Sequence, residues 1–209
     1  LQVFYLYLLI PKIYRTIVKS DKKYFSMALT NRLIPFFIII VFTLTSCLTV
    51  EKKEYKIELE GDHSGILTIK YINIMSVMED GRDVSDKDYE ELTVEYLSGS
   101  RPEDKYSPAK VLDKRLFEEN GMLCGEVVIE FDDLKQIGIY RHSDGCPYMM
   151  CVNPCLENET YASSNGTWGG PDLPVVFWES GFDILTLSTR ITVPDETTKS
   201  LLNEYAGGQ

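Results

Sequence analysis

Apolar and polar residues alternate with period two over residues 53–60, with Tyr55, Ile57 and Leu59 on one side and Glu54, Lys56, Glu58 and Glu60 on the other. That period marks a half-buried strand. Gly61-Asp62-His63-Ser64-Gly65 follows as a turn, and the more apolar run 66–76 completes a hairpin. The spacing then becomes helical. Tyr89, Leu92, Tyr96 and Leu97 share one face, Ser85 with Asp88 reads as a capping pair, and Gly99 as the residue after the last turn. A helix is predicted over residues 85–98, with the acids of residues 79–88 complementing its positive end. The same acids do not keep the register of a calcium-binding loop.

Residues 100–108 read as a polar loop with two prolines. Two strand-like runs, 111–118 and 122–131, flank Glu119-Asn120-Gly121, a strong hairpin signal. Val127, Ile129 and Phe131 mark its buried face, Gly125 a candidate bulge, and residues 132–137 a helical turn. Regularity is lost over 138–174, then resumes in strands at 175–178 and 183–193 around Glu179-Ser180-Gly181. Asp195 is placed to cap a closing helix through Leu201, Leu202 and Tyr205. The pattern predicts an α+β fold: an antiparallel sheet of about six strands in three hairpins, with a helix after the first hairpin and one at the C-terminus. A single domain is expected over residues 53–206.

The longest apolar stretch is residues 33–47, LIPFFIIIVFTLTSC, with Lys12, Arg15, Lys19, Lys22, Lys23 and Arg32 before it. A basic segment, an apolar body and small residues at its end are the parts of a secretory signal. Leu44-Thr45-Ser46-Cys47 resembles the lipobox of bacterial lipoproteins, in which leucine and two small residues precede a cysteine. The resemblance implies that Cys47 is acylated on sulfur and begins the mature chain. An uncleaved anchor over residues 33–50 and a buried core helix are the alternatives. Residues 1–46 are expected to be a targeting segment, with translation starting at Met27 and residues 1–26 an extension, and residues 47–52 a lipid-anchored tether. The chain is then expected in the cell envelope, facing the periplasm or the cell surface, with the membrane as its partner through the anchor.

Residues 1–46 hold six of the 21 basic residues and one of the 32 acidic ones, leaving 15 against 31 and a net charge of −16 in residues 47–209. Such acidity argues against nucleic acid, whose phosphates require a basic surface.

Besides Cys47 there are Cys124, Cys146, Cys151 and Cys155, the last three within CPYMMCVNPC beside His142. An exported chain favours disulfides among them, with free thiols or a metal site as the other readings. Tyr148, Tyr161 and Trp168 in the irregular segment are candidates for a ligand surface, the rival being a cover over the core. The two Asn-x-Thr sequons, at Asn158 and Asn165, are read as chance matches. His63 and His142 are the only histidines, and no nucleophile motif, phosphate loop or dinucleotide fingerprint is present. No catalytic residue, metal or cofactor is assigned.

A lipobox followed by an alternating strand, a Gly-Asp-His-Ser-Gly turn and a second strand resembles the opening of LppM-type and related bacterial lipoproteins, over residues 47–76. The resemblance implies a ββα-type exported domain. No second hydrophobic span follows here, and no functional residue is carried over. The expected function is a lipid-anchored binding or scaffolding module for a protein or small molecule. The alternatives are an envelope enzyme using carboxylates or a Cys/His metal site, and a small-ligand carrier.

Overall fold

The computed structural model describes residues 47–208 apart from Asp62, Pro154 and Glu157. The expectations for residues 1–46 lie outside the described residues. Among the described residues no helix is long and apolar enough to cross a membrane.

In chain order the strands are β1 (Leu48–Glu60), β2 (Ser64–Val77), β3 (Lys110–Glu119), β4 (Met122–Phe131), β5 (Ile139–Tyr140) and β6 (Tyr148–Cys151). They continue with β7 (Thr160–Ser164), β8 (Thr167–Trp168), β9 (Val175–Trp178), β10 (Ile184–Arg190) and β11 (Thr198–Ser200). The helices are α1 (Ser85–Glu91), α2 (Arg101–Tyr106) and α3 (Leu202–Gly207). The main sheet runs β3-β4-β2-β1-β10-β7, with β11 added to the end of β2, and every pairing is antiparallel. This is the α+β fold that the pattern predicts, with its C-terminal helix.

The first two hairpins form. Asn120 and Gly121 both take left-handed φ, 53° and 73°, giving the two-residue turn whose twist matches its strands. The bulge in this hairpin falls at Leu112 on β3 rather than at Gly125. The third pair of strands does not pair. β9 joins a second sheet, β5-β6-β9-β8, while β10 pairs with β1. The Glu179–Phe182 turn carries the chain between layers, and Asp183 docks by accepting the Leu59 N–H at 2.9 Å.

The predicted helix begins at Ser85, but Ser85 and Asp88 do not cap it. The Ser85 N–H donates to the Asp83 carboxylate at 3.0 Å, and Asp88 is buried, accepting from the Ser76 hydroxyl at 2.5 Å. Leu92–Leu97 then widens into a π-turn. The Thr93 hydroxyl donates to the Tyr89 and Glu90 carbonyls at 3.0 Å, and such back-bonding competes with the regular ladder. Gly99 is required by closeness, since a Cβ there would meet two carbonyl oxygens at 2.6 Å. Residues 100–108, expected as loop, contain α2, whose Pro102 sits in the first turn, where no N–H is needed. Asp195 caps the turn into β11 by accepting from Thr197, not the closing helix.

The expected tether is strand from Leu48 onward, and the Cys47 carbonyl already accepts the Val77 N–H at 2.8 Å.

The sheet face carrying Tyr55, Ile57, Leu67, Ile69, Ile129 and Leu185 is covered by two layers. The small sheet brings Ile139, Met150, Val176 and Trp178 against it. Further along, Leu92 and Leu201 pack on Ile74 and Leu123. Tyr71 packs against both clusters, which places it at their seam.

Candidate ligand-binding site

A cavity of about 340 Å³ opens at this seam. Small-molecule pockets begin at about that size. Its floor is the sheet at Tyr71, Leu116, Gly125 and Val127, and its roof is formed by Leu92, Tyr96 and Leu97 with α2. Leu48, Thr49 and Val50 complete the wall. Gly125 keeps the floor low, because a Cβ there would stand 3.2 Å from the Ile74 Cδ1 and 3.4 Å from the Leu116 Cδ2.

The roof is held by charge. Arg101 bonds Glu91 at 3.1 Å, Glu95 at 2.6 Å and the Tyr96 hydroxyl at 2.8 Å, with its guanidinium 5.0 Å from the Tyr96 ring centre. Lys114, from the floor, donates to the Gly99 carbonyl at 2.6 Å and pairs with Glu103 at 2.8 Å.

One end of the cavity is closed by a buried polar network. Glu159, 3% exposed, accepts from Lys53 at 2.6 Å, from Thr189 at 2.6 Å and from the Tyr55 hydroxyl at 2.9 and 2.8 Å. A buried carboxylate requires such partners. Lys53 itself lines the cavity. Behind it stand the Tyr71 and Tyr106 phenols, both of which line the cavity. Burial pushes the Tyr71 phenol up to about 12, and raises Tyr106 and Tyr55 further, the Glu159 charge adding to the Tyr55 rise.

The residues singled out from sequence are scattered. Cys151 and Cys155 form a disulfide, while Cys124 is buried in β4 and Cys146 is half-buried in a turn beside the Ser143 hydroxyl at 3.2 Å. The disulfide consumes two of the thiols that a metal site would use, and no metal-binding cluster occurs among the described residues. Tyr148 is no surface: it is 3% exposed in the core, under the Arg141 guanidinium at 4.5 Å. Tyr161 and Trp168 stack face to face at 4.3 Å, half-buried against the core. His63 and His142 are exposed, the latter 3.4 Å from the Tyr140 hydroxyl. Burial and the Asp88 charge raise the Cys47 thiol, and burial raises Cys124, so neither has the depressed pKa of a reactive cysteine.

Asn165 is fully engaged. Its Oδ1 accepts from the Trp178 indole and the Thr186 N–H, both at 2.7 Å, and its Nδ2 donates to the Ile184 carbonyl at 2.8 Å.

Sequence reasoning missed Glu159, Lys53, Arg101 and the cavity. Lys53 carried the one available signal: it stands in register with Tyr55 and Ile57, a lysine on the apolar face of a strand.

Comparison with protein-family models, with curated proteins and with solved structures returned no match.

Proposed function

We propose that this protein is a lipid-anchored envelope module that binds a small apolar-bodied molecule, with Cys47 as its anchor and the seam cavity as its site. The observation that carries the reading is the cavity's position. Its wall includes Leu48, Thr49 and Val50, the three residues after the lipobox cysteine. A strand advances about 3.3 Å per residue, so an acylated Cys47 sets the cavity within about 10 Å of the bilayer surface. A molecule leaving the membrane reaches it without crossing much water. Of the alternatives, the small-ligand carrier gains from the cavity, although α2 and Leu92–Leu97 cover most of it and Asn158 is, among the described residues, its one lining residue from 138–174. The enzyme reading gains no support, because Lys53, Arg101, Lys114, Arg115 and Glu126 in the cavity wall are engaged in ion pairs and the Tyr71 and Tyr106 phenols are raised by burial.

Two measurements test it. Metabolic labelling with a palmitate analogue is expected to mark the wild type and not Cys47→Ala, and label persisting in the variant removes the anchor. Fluorescence of the neutral probe N-phenyl-1-naphthylamine is expected to rise on binding the wild type and to fall in Leu97→Trp, which fills the cavity. An equal signal from both proteins removes the site.

A further inference from the structure

The charges around the cavity are unlike those of the domain. Residues 47–209 hold 15 basic residues against 31 acidic ones, yet Lys53, Arg101, Lys105, Lys114 and Arg115 line the cavity with one acid, Glu126. The carboxylates that pair with these cations, Glu91, Glu95, Glu103 and Glu159, are not lining residues. Glu126 is itself bonded to Arg115 at 2.6 Å. Lys53, Arg101 and Lys114 thus reach the wall while their carboxylate partners do not line it.

Three of the lining cations lie over tyrosine rings of the wall. Lys53 Nζ is 5.6 Å from the Tyr71 ring centre, Lys105 Nζ 5.5 Å from that of Tyr106, and the Arg101 guanidinium 5.0 Å from that of Tyr96. Arg101 is four residues before Lys105, on the same face of α2. The remaining wall is mainly apolar, at Leu48, Val50, Ile74, Leu92, Leu97 and Leu116.

We infer that the ligand is a single-chain amphiphilic anion, a fatty-acyl carboxylate, with its head beside Lys53, Arg101 and Lys105 and its chain along the leucine wall. This rests on the reading of the cavity as a ligand site. A neutral chain makes no use of the cations, and a small anion makes no use of the leucines. A cavity at the lower end of the ligand-pocket range holds one chain rather than the two of a diacyl lipid.

The test uses the full-length chain in phosphatidylcholine nanodiscs, with empty discs as the blank and 11-(dansylamino)undecanoic acid as the fluorescent probe. Laurate is expected to displace it at concentrations about tenfold or more below those of methyl laurate, the worth of a hydrogen bond to a charged group. Lengthening the competitor from eight to twelve carbons is expected to tighten it by up to about fourfold per methylene. Lys105→Gln is expected to weaken laurate about tenfold and leave N-phenyl-1-naphthylamine binding unchanged. The substitution spares the Arg101 pairs with Glu91 and Glu95 that hold the roof. Equal displacement by laurate and methyl laurate, or equal loss of both probes in the variant, overturns the inference and leaves a neutral apolar site. Loss of the probe in phosphatidylglycerol discs, with laurate inert, assigns the cavity to a phospholipid headgroup and also overturns it. Failure of the neutral probe to bind removes the underlying reading instead.

Discussion

Replacing Glu159 by Gln isolates the network that closes one end of the cavity. The carboxylate receives four hydrogen bonds from Lys53, Thr189 and Tyr55, all between 2.6 and 2.9 Å. Glutamine keeps one acceptor oxygen and turns an N–H donor toward partners that already donate. The Lys53 and Glu159 side chains are 15% and 4% exposed, so the pair is not a surface salt bridge. Removing one partner of a buried pair costs about 3–5 kcal/mol. Lys53 lines the cavity and can turn toward solvent there, which sets the expectation at the lower end, about 3 kcal/mol. At about 2–4 °C per kcal/mol for a domain of this length, the melting temperature falls by about 6–12 °C. Scanning calorimetry measures it. Lys53→Met leaves the carboxylate with Tyr55 and Thr189, and the double variant is expected to recover about 1–3 kcal/mol relative to the summed singles. A Glu159→Gln protein melting within about 2 °C of wild type refutes the argument.

The other perturbations are simpler. Cys151→Ser/Cys155→Ser opens a loop of sequence separation 4, worth about 2 kcal/mol by loop entropy; wild type with reductant should melt with the variant, and both about 4–8 °C below the oxidised protein. Asn165→Ala removes the acceptor of the buried Trp178 indole, at about 1–2 kcal/mol in urea denaturation; an unchanged midpoint would show that water replaces the amide. Tyr71 titrates at about 12, and Tyr55 and Tyr106 are raised as well. An acid raised in the folded state adds stability below its unfolded pKa, near 10, that is lost as pH rises through the folded value. Absorbance at 295 nm should therefore show late phenols ionising together with loss of circular dichroism above pH 10; full titration near 10 in a folded protein would refute their burial.

Local patterns were legible where they coincide with the packed structure. The alternation of Tyr55, Ile57 and Leu59 with the Gly61–Gly65 turn placed the first hairpin, and Asn120-Gly121 placed the second. Tyr148 illustrates a signal passed over. Tyr148, Met150 and Val152 alternate inward across a cysteine-rich stretch that reads as loop, and all three are buried. The pairing of β9 with β6 instead of β10 was out of reach, because no local pattern says which sheet a four-residue strand joins. Glu159 was equally hidden. Among 31 acids nothing marks it as the one that Tyr55 and Thr189 enclose, since those partners lie 104 and 30 residues away. The cavity likewise arises from long-range packing of α2 over Gly125.

The junction at Cys47 decides how an anchor there would act. A flexible tether lets a domain tumble, and an acidic one then drifts from anionic lipid. Here the Cys47 carbonyl accepts from Val77, and Leu48 pairs with Ser76 at once. On the proposed reading, acyl chains on Cys47 are fixed to the end of the sheet rather than to a leash, so the membrane fixes which face looks down. Asp88 and Glu79 act on the Cys47 sulfur as negative charge, which opposes close approach to anionic headgroups. Anchoring must then come from the chains, at about 0.8 kcal/mol per buried methylene. On the same proposed reading, the Leu48–Val50 wall of the cavity is the part nearest the bilayer. Inserting six Gly/Ser residues after Cys47 keeps the acyl chains and releases the orientation. If proximity supplies the ligand, labelling should stay at the wild-type level while transfer of dansyl-undecanoate from vesicles slows. An unchanged transfer rate would mean that the cavity fills from water, and that the rigid junction serves the fold alone.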